Sequence, residues 1–320
     1  MSDVIGLVLP FFGLILLGFI VARITRRPLA EAGWMNTFII YIALPALFFQ
    51  LLSKTPIEKL TEWGYIFGSV FSTYVIFTVM FVTSVIRTGG EIPSSTVRGL
   101  AAAYGNIGYM GPGLALLALG QEAAVPVALI FCFENVLHFA IAPMMMGLAG
   151  GRDETPLQVA TGIVRKILLH PFILATIAGV TAAALNLKAP LPVDRLLQYL
   201  ANAAAPCALF VMGVTLALRP LKKIPPEIGL IVPLKLIVHP ALCYVTLSWV
   251  GNFDPVWVYS AVLLAGLPTA TNVFVIGQQY GEWVEQASAT ILVTTTLSVL
   301  SVTGLLLLIT GGFLPPDLFP

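Results

Sequence analysis

Residues 105–113 read Gly-Asn-Ile-Gly-Tyr-Met-Gly-Pro-Gly, and this stretch decides how the rest of the chain is interpreted. It lies inside an apolar segment long enough to cross a bilayer, yet its four glycines and one proline cannot sustain a regular helix. Irregular backbone at membrane depth is tolerated only where it is buried in protein or lines a wet cavity. The stretch therefore predicts a broken transmembrane helix.

A second apolar segment carries a similar interruption, Gly-Leu-Pro-Thr-Ala-Thr-Asn at residues 266–272. Pro112 is expected in the first turn of one restarted helix, and Asn272 is expected to cap the other. Both restarted helices would direct the positive ends of their dipoles at the membrane centre, where unpaired amide groups favour an anion. The alternative for each break is a proline kink that serves packing alone.

Composition places the chain in a membrane. Of its 320 residues, 58% are hydrophobic and 10% are charged, where a soluble domain carries roughly 25% charged residues. The fold class expected is all-α integral membrane. A net charge of +1 gives no reason to expect nucleic acid as a partner. No metalloprotease, serine-hydrolase or nucleotide-binding motif is present, so an enzyme is not expected, and no cofactor or metal site is predicted.

Ten apolar segments follow one another, and we number them spans 1–10. They cover residues 3–24, 33–53, 63–87, 96–119, 123–149, 166–187, 195–218, 227–250, 255–280 and 284–312. Each has about the 20 residues that a spanning helix needs. Spans 4 and 9 contain the two breaks, and the longest predicted loop is 150–165.

Six Pro or Gly pairs recur at one offset of 161 residues, which indicates an internal repeat. The pairs are Pro10 and Pro171, Gly18 and Gly179, Pro45 and Pro206, Gly90 and Gly251, Gly105 and Gly266, and Gly120 and Gly281. Because each repeat holds five spans, the second repeat is inverted with respect to the first. The predicted organisation is 1–149 as the first repeat, 150–165 as a cytoplasmic linker and 166–320 as the second repeat. Inverted repeats are typical of secondary transporters with a midplane site; an old duplication without a central function is the alternative.

Positive charge in the loops predicts the orientation. One side of the predicted topology holds most of the basic residues, namely Arg23, Arg26, Arg27, Arg87, Arg98, Arg152, Arg165, Lys166, Arg219, Lys222 and Lys223. The other side holds Lys54, Lys59, Lys188 and Arg195. The first side is expected to be cytoplasmic, so both termini face outward. Trp34, Trp63 and Trp283 lie near predicted span ends and are interpreted as interfacial anchors.

Ionisable residues inside the spans are functional candidates, because they cost several kcal/mol unless they are paired or hydrated. Span 5 contains Glu134, Asn135 and His138, and span 8 contains Lys235 and His239 four residues apart. Two roles are open: neutralisation of Glu134 or of the substrate by Lys235, and transfer of a coupling proton by Glu134 and His138. The alternative is a structural ion pair or hydrogen bond between helices.

Four stretches together resemble the auxin efflux carrier family: residues 44–49, 105–112, 267–274 and 279–281. That family includes plant auxin exporters and bacterial carriers of small organic acids such as malonate and malate. The resemblance implies ten helices, crossing broken helices in spans 4 and 9, and a homodimer. It also implies a scaffold of spans 1, 2, 6 and 7 and a moving transport unit of spans 3–5 and 8–10. The short 150–165 loop is similar to compact bacterial members, which implies the bacterial inner membrane.

The leading hypothesis is a secondary transporter that moves a small organic anion across the bilayer by elevator-type alternating access. The substrate-binding residues expected are Gly105, Asn106, Gly108, Tyr109, Pro112, Pro268, Thr271 and Asn272. The residues expected to tune charge or couple to protons are Glu134, Asn135, His138, Lys235 and His239. A ligand-binding channel or sensor is one alternative. A sodium-coupled organic-anion symporter of the bile-acid type, which shares the architecture, is another, although no acid follows Asn272 until Glu282.

Overall fold

The computed structural model describes residues 2–149, 156–218 and 224–318, which form helices joined by short connections. In chain order the α-helices are α1 (Ser2–Thr25), α2 (Gly33–Phe38), α3 (Leu44–Leu52), α4 (Trp63–Thr88), α5 (Ile92–Ala103), α6 (Ile107–Leu119), α7 (Ala124–Leu148), α8 (Pro156–Leu168), α9 (Pro171–Ala184), α10 (Leu191–Leu218), α11 (Ile228–Pro233), α12 (His239–Val250), α13 (Pro255–Ala265), α14 (Thr271–Tyr280) and α15 (Val284–Thr310). Two π-helical segments, Ile39–Ala43 and Leu234–Val238, join α2 to α3 and α11 to α12. The all-helical class is confirmed for the described part of the chain.

Six helical segments are long and apolar enough to cross a membrane within the described ranges: Gly33–Leu52, Trp63–Thr88, Gln121–Leu148, Leu191–Leu218, Ile228–Val250 and Val284–Thr310. Four shorter apolar helices accompany them: Leu9–Thr25, Ile107–Leu119, Pro171–Ala184 and Pro255–Ala265. Each of the ten predicted spans overlaps one of these helices, with the ends differing by a few residues in several cases. Helices dominate because hydrocarbon offers no partner to backbone N–H and C=O groups, which must then bond within their own segment. The inverted-repeat topology itself stays a prediction.

The predicted helix ends are wrong at three places. Residues 156–165 were expected in a loop, but they form most of α8, while residues 150–155 lie outside the described ranges. The restarted half of span 4 begins at Ile107, so Pro112 lies inside α6 and not in its first turn. Asn272 is the second residue of α14 and does not cap it, since the capping position is Ala270.

The first compact unit comprises Met1–Trp63, Gly108–Cys132 and Leu168–Arg219, as far as these ranges are described. Its main contact is between α1 and α10, which approach closely at two glycines. A methyl group on Gly18 would lie 2.0 Å from the carbonyl oxygen of Phe210, and one on Gly213 would lie 1.9 Å from that of Ile15. Small residues let helix backbones pack closely in membranes, so these two positions require glycine.

Replacing Gly213 with alanine is expected to lower the free energy of unfolding by about 3 kcal/mol, because the new methyl group overlaps the α1 backbone. Thermal unfolding of the purified protein, followed by tryptophan fluorescence, measures the effect. Gly6→Ala is the matched control, since Gly6 is exposed on α1 and nothing lies within 4 Å of the added carbon. Equal melting temperatures for the two variants would show that α1 and α10 do not pack as described.

The second compact unit comprises Gly64–Ile107, Phe133–Ile167 and Pro220–Pro320, within the described residues. Its core packs α4, α5, α14 and the start of α15, with Leu100, Ala103 and Val273 fully or almost fully buried. Arg98 of α5 is paired with Glu227, since its Nε lies 3.0 Å from a carboxylate oxygen of that residue.

The guanidinium carbon of Arg98 also lies 5.8 Å from the ring centre of Trp283. Trp283 is 7% exposed and has a left-handed backbone, so its assignment as an interfacial anchor is wrong. A cation–π contact with Arg98 stabilises the Trp283 ring in this buried position. Trp34 and Trp63 are exposed, as anchors require.

Candidate functional site

The two helix breaks lie side by side in the second unit and are bonded to each other. The first break covers residues 104–106 and the second covers residues 266–270. Asn106 N donates to the Pro268 carbonyl at 2.8 Å, and Ala270 N donates to the Tyr104 carbonyl at 2.9 Å. These bonds form an isolated antiparallel bridge that pairs Gly105 with Thr269. The partner of Gly105 is thus three residues beyond its repeat mate, Gly266.

The backbone N–H groups at the breaks, which the sequence predicted to be available to an anion, are hydrogen-bonded within the protein. Besides Asn106 and Ala270, Ile107 N donates to Gly105 O at 2.7 Å, and Thr269 N donates to Thr294 Oγ1 at 3.2 Å. The expectation of unpaired amide groups is therefore wrong for these four residues. The physical reason is that a broken helix buried in protein must satisfy its own N–H groups, and these four find partners in the other break, in their own break or on α15.

Tyr104 joins three elements around the breaks. Its hydroxyl donates to Asn135 Oδ1 at 2.5 Å and accepts from Asn272 Nδ2 at 2.8 Å. Its ring stacks on His138 with 3.9 Å between ring centres. Sequence reasoning missed Tyr104, although a tyrosine directly before Gly105 was a usable signal. Asn135, His138 and Asn272 were predicted, and the structure brings them together on this one ring.

The remaining substrate-site predictions divide between the two units. In the first unit, Tyr109 donates its hydroxyl to Asn36 Oδ1 at 3.2 Å, and a methyl group on Gly108 would lie 3.2 Å from the Phe131 ring. Pro112 lies in the same helix, α6. In the second unit, Asn106 is 2% exposed, while Thr271 is half-buried at the start of α14.

A second polar cluster consists of Lys235, His239, Thr73 and Glu134, all buried, and we call it the Glu134–Lys235 chain. Lys235 Nζ donates to the Ala265 carbonyl at 2.6 Å and lies 3.0 Å from His239 Nδ1. The other ring nitrogen of His239 lies 3.0 Å from Thr73 Oγ1, which donates to Glu134 Oε1 at 2.8 Å. Lys235 and Glu134 are therefore connected through two intervening side chains.

The structure separates the side chains of Glu134 and His138, which were expected to carry a coupling proton together. His138 Nδ1 lies 2.6 Å from the carbonyl oxygen of Glu134, so the imidazole bonds to the backbone of that residue, while its carboxylate turns to Thr73. His138 thus belongs with Tyr104, and Glu134 belongs with Lys235. The spacing of Glu134 and His138 along α7 could not reveal that their side chains bond to different partners.

Local backbone places the Lys235 ammonium against the breaks. Lys235 lies in the π-helical segment Leu234–Val238, flanked by Pro233 and Pro240. π-Helical segments are rare in proteins, and those that do occur often lie at functional sites. Pro240 has no N–H to donate to the carbonyl of Leu236, which favours the irregular turn here. A methyl group on Gly105 would lie 3.2 Å from the Leu264 carbonyl oxygen and 3.4 Å from Lys235 Nζ, so the ammonium lies directly beside the first break.

Interrupted apolar helices paired inside a helical unit, next to buried ionisable side chains, define a membrane transport protein. A model of the membrane transport protein family matches residues 3–306, and the chain belongs to that family, the auxin efflux carrier family. This confirms that the chain is an integral membrane transporter and not an enzyme.

Three relatives illustrate the range of the family. The chain is 63% identical, over the full length of both chains, to a Rhizobium meliloti (strain 1021) protein named "Putative malonate transporter". It is 25% identical to an uncharacterized transporter of Methanocaldococcus jannaschii, with 84% of this chain and 87% of the relative covered. It is 22% identical to the lysosomal cholesterol signaling protein of Mus musculus, with 90% of this chain but 35% of the relative covered.

Proposed function

We propose that this chain is a secondary carrier of a small organic anion of the dicarboxylate class, which binds at the paired breaks. The observation that carries the proposal is the buried Lys235 ammonium, 2.6 Å from Ala265 O at the end of α13 and in reach of Gly105. A buried cation beside two interrupted helices supplies the charge that a carboxylate needs in a membrane. The name of the Rhizobium meliloti relative points to a dicarboxylate.

Side chains supply the hydrogen bonds in this proposal. Asn106 and Asn272 come from the two breaks, and Tyr104 connects Asn272 to Asn135. The Asn272 amide has a second N–H besides the one given to Tyr104. Thr271 and Asn272 form the first turn of α14, where the helix dipole also favours an anion. Positive charge, amide donors and a helix start are thus collected in one unit.

The transport cycle is proposed as alternating access of the elevator type, with a homodimer held through scaffold spans 1, 2, 6 and 7. The inverted repeat, a cytoplasmic side rich in Lys and Arg and a location in the bacterial inner membrane with both termini outside belong to the same proposal. Its support is the family membership and the repeat of Pro and Gly at one offset.

Counterflow in liposomes tests the carrier. Purified protein is expected to exchange internal malonate for labelled malonate, and malate and indole-3-acetate serve as the comparison acids. The double variant Asn106→Ala, Asn272→Ala is expected to reduce exchange at least about tenfold, since about 1.4 kcal/mol of lost binding has that effect. Intact exchange in the folded double variant would remove the site from the paired breaks. Saturable binding without counterflow would favour the channel or sensor.

A further inference from the structure

The Glu134–Lys235 chain has a direction, which follows from counting protons. Thr73 has one hydroxyl proton, and it points to Glu134 Oε1 at 2.8 Å; the Ser69 carbonyl is a longer alternative at 3.3 Å. With Glu134 ionised, the ring nitrogen of His239 that faces Thr73 carries the proton and donates it. The other ring nitrogen is then unprotonated in neutral imidazole, and it accepts from Lys235.

When Lys235 and Glu134 are both charged, every bond of the chain is donated towards the carboxylate. Lys235 donates to His239, His239 donates to Thr73, and Thr73 donates to Glu134. The four side chains are between 0% and 4% exposed, so water does not compete for these protons in the structure. A continuous, one-way series of bonds between a buried acid and a buried base is the geometry of a proton relay.

We infer that Thr73 and His239 form a proton relay between Lys235 and Glu134, which neutralises both residues when the carrier is empty and charges both when an anion binds. The inference rests on the proposed function and adds a role for two residues that contact no substrate. Thr73 is new in this role, since sequence analysis gave no reason to single it out.

The relay step balances without any outside reagent. Lys235 gives a proton to Nδ1 of His239, Nε2 of His239 gives its proton to Thr73 Oγ1, and Thr73 gives its own hydroxyl proton to Glu134. The products are a neutral amine, the other neutral tautomer of histidine, an intact threonine hydroxyl and a carboxylic acid. The reverse step restores the ammonium and the carboxylate.

The cost of burying charge explains why proton transfer along the relay would depend on whether the anion is bound. Separated charges inside a membrane protein each cost several kcal/mol, and removing a compensating partner leaves that cost uncovered. An anion beside Gly105 would compensate the ammonium and hold it charged. When the anion leaves, moving one proton along the relay removes both charges at once. The empty carrier then returns across the membrane without carrying buried charge.

Other ionisable groups face this chain from the surrounding helices: Tyr65 and Tyr74 on α4, Tyr104 at the first break, His138 on α7 and Cys243 on α12. Tyr65 donates to the Trp257 carbonyl, and Tyr104 donates to Asn135. His138 is bonded to the Glu134 carbonyl. None of these three bonds joins Lys235 to Glu134, whereas Thr73 and His239 connect the two residues within the described part of the chain.

Separating net flux from exchange tests the relay, because only net flux requires the empty carrier to return. In liposomes loaded with labelled malonate, Thr73→Val is expected to slow efflux into malonate-free buffer at least about tenfold, equivalent to about 1.4 kcal/mol. Exchange against external malonate should stay within about twofold of wild type. Thr73→Ser keeps the hydroxyl and should retain both rates. A purely structural role for Thr73 would lower both rates together or neither, and either result would overturn the relay.

Glu134→Gln provides a second arm should the valine variant fail to fold. The amide has the shape of the acid but cannot take up the proton, so net efflux should again fall while exchange remains. Equal loss of efflux and exchange in the folded variant contradicts the relay but leaves the proposed carrier standing. Wild-type liposomes that exchange none of the three acids would instead refute the proposed function, and the relay with it.

Discussion

Replacing Lys235 with methionine is expected to reduce malonate exchange at least about 100-fold, which corresponds to about 2.7 kcal/mol of lost anion stabilisation. Methionine has nearly the length of lysine without its charge, so packing around the fully buried position is largely kept. Removing one partner of a buried charge pair costs roughly 3–5 kcal/mol, so a loss of at least this size is expected. Initial exchange rates over a range of malonate concentrations measure the effect.

Methionine at position 235 also leaves Glu134 without its compensating cation, so the single variant alone cannot show what the ammonium does. The double variant Lys235→Met, Glu134→Gln removes both charges. Its melting temperature should recover towards wild type, while exchange should remain lost because no cation faces the substrate. Recovery of exchange in the double variant would mean that Lys235 only balances Glu134. Lys54→Met controls for a lost lysine, since Lys54 is exposed and bridges Asp194 at 3.1 Å.

Helices were predictable because membrane composition and segment length act locally. Spans 2, 3 and 10 were placed within a residue or two of the observed helices, since about 20 apolar residues in hydrocarbon have one stable backbone conformation. The breaks at Gly105 and Gly266 were predictable for the same reason, because glycine and proline act on their own turn. Helix α8 was missed because it is short and amphipathic, and its polar and charged residues keep its mean hydropathy below that of a membrane span.

The site was predictable as a set of residues but not as a set of bonds. Glu134, Lys235 and His239 could be named because ionisable groups are rare in apolar spans. Their connection through Thr73 could not be, since threonine is ordinary in a membrane helix and lies 61 residues from Glu134. Likewise, no local signal indicates that Asn106 N would bond to Pro268 O. Contacts between distant segments depend on packing, which spacing along one helix does not contain.

Pairing of the breaks changes which groups would hold an anion. Since the backbone N–H groups of Asn106 and Ala270 are bonded to the other break, selectivity for an anion would come from the Lys235 charge, from side-chain amides and from the start of α14. A side-chain site can be altered by substitution in a way that a main-chain site cannot. Asn272 is the most informative position, because it is half-buried, begins α14 and touches Tyr104.

Changing Asn272 to aspartate is expected to suppress malonate exchange by about three orders of magnitude near neutral pH. The substitution keeps the shape of the side chain but places a carboxylate where the substrate carboxylate should lie. Two like charges about 4 Å apart repel by about 4 kcal/mol at the effective dielectric typical near a protein surface. Exchange should rise again as the pH is lowered, because protonation of the new carboxyl removes its charge. Asn272→Ala, which removes hydrogen bonds without adding charge, should have a smaller and pH-independent effect.

Gln278→Glu is the matched control for this charge change. Gln278 lies on the same helix, six residues further along, and its side chain is exposed. It adds the same charge to α14 at a position that faces away from the paired breaks, so exchange should stay within about twofold of wild type. Similar losses in both variants would mean that charge anywhere on α14 disturbs transport. Full activity of the folded Asn272→Asp variant would mean that the anion does not approach the second break, because no carboxylate could bind beside another there without the cost of repulsion.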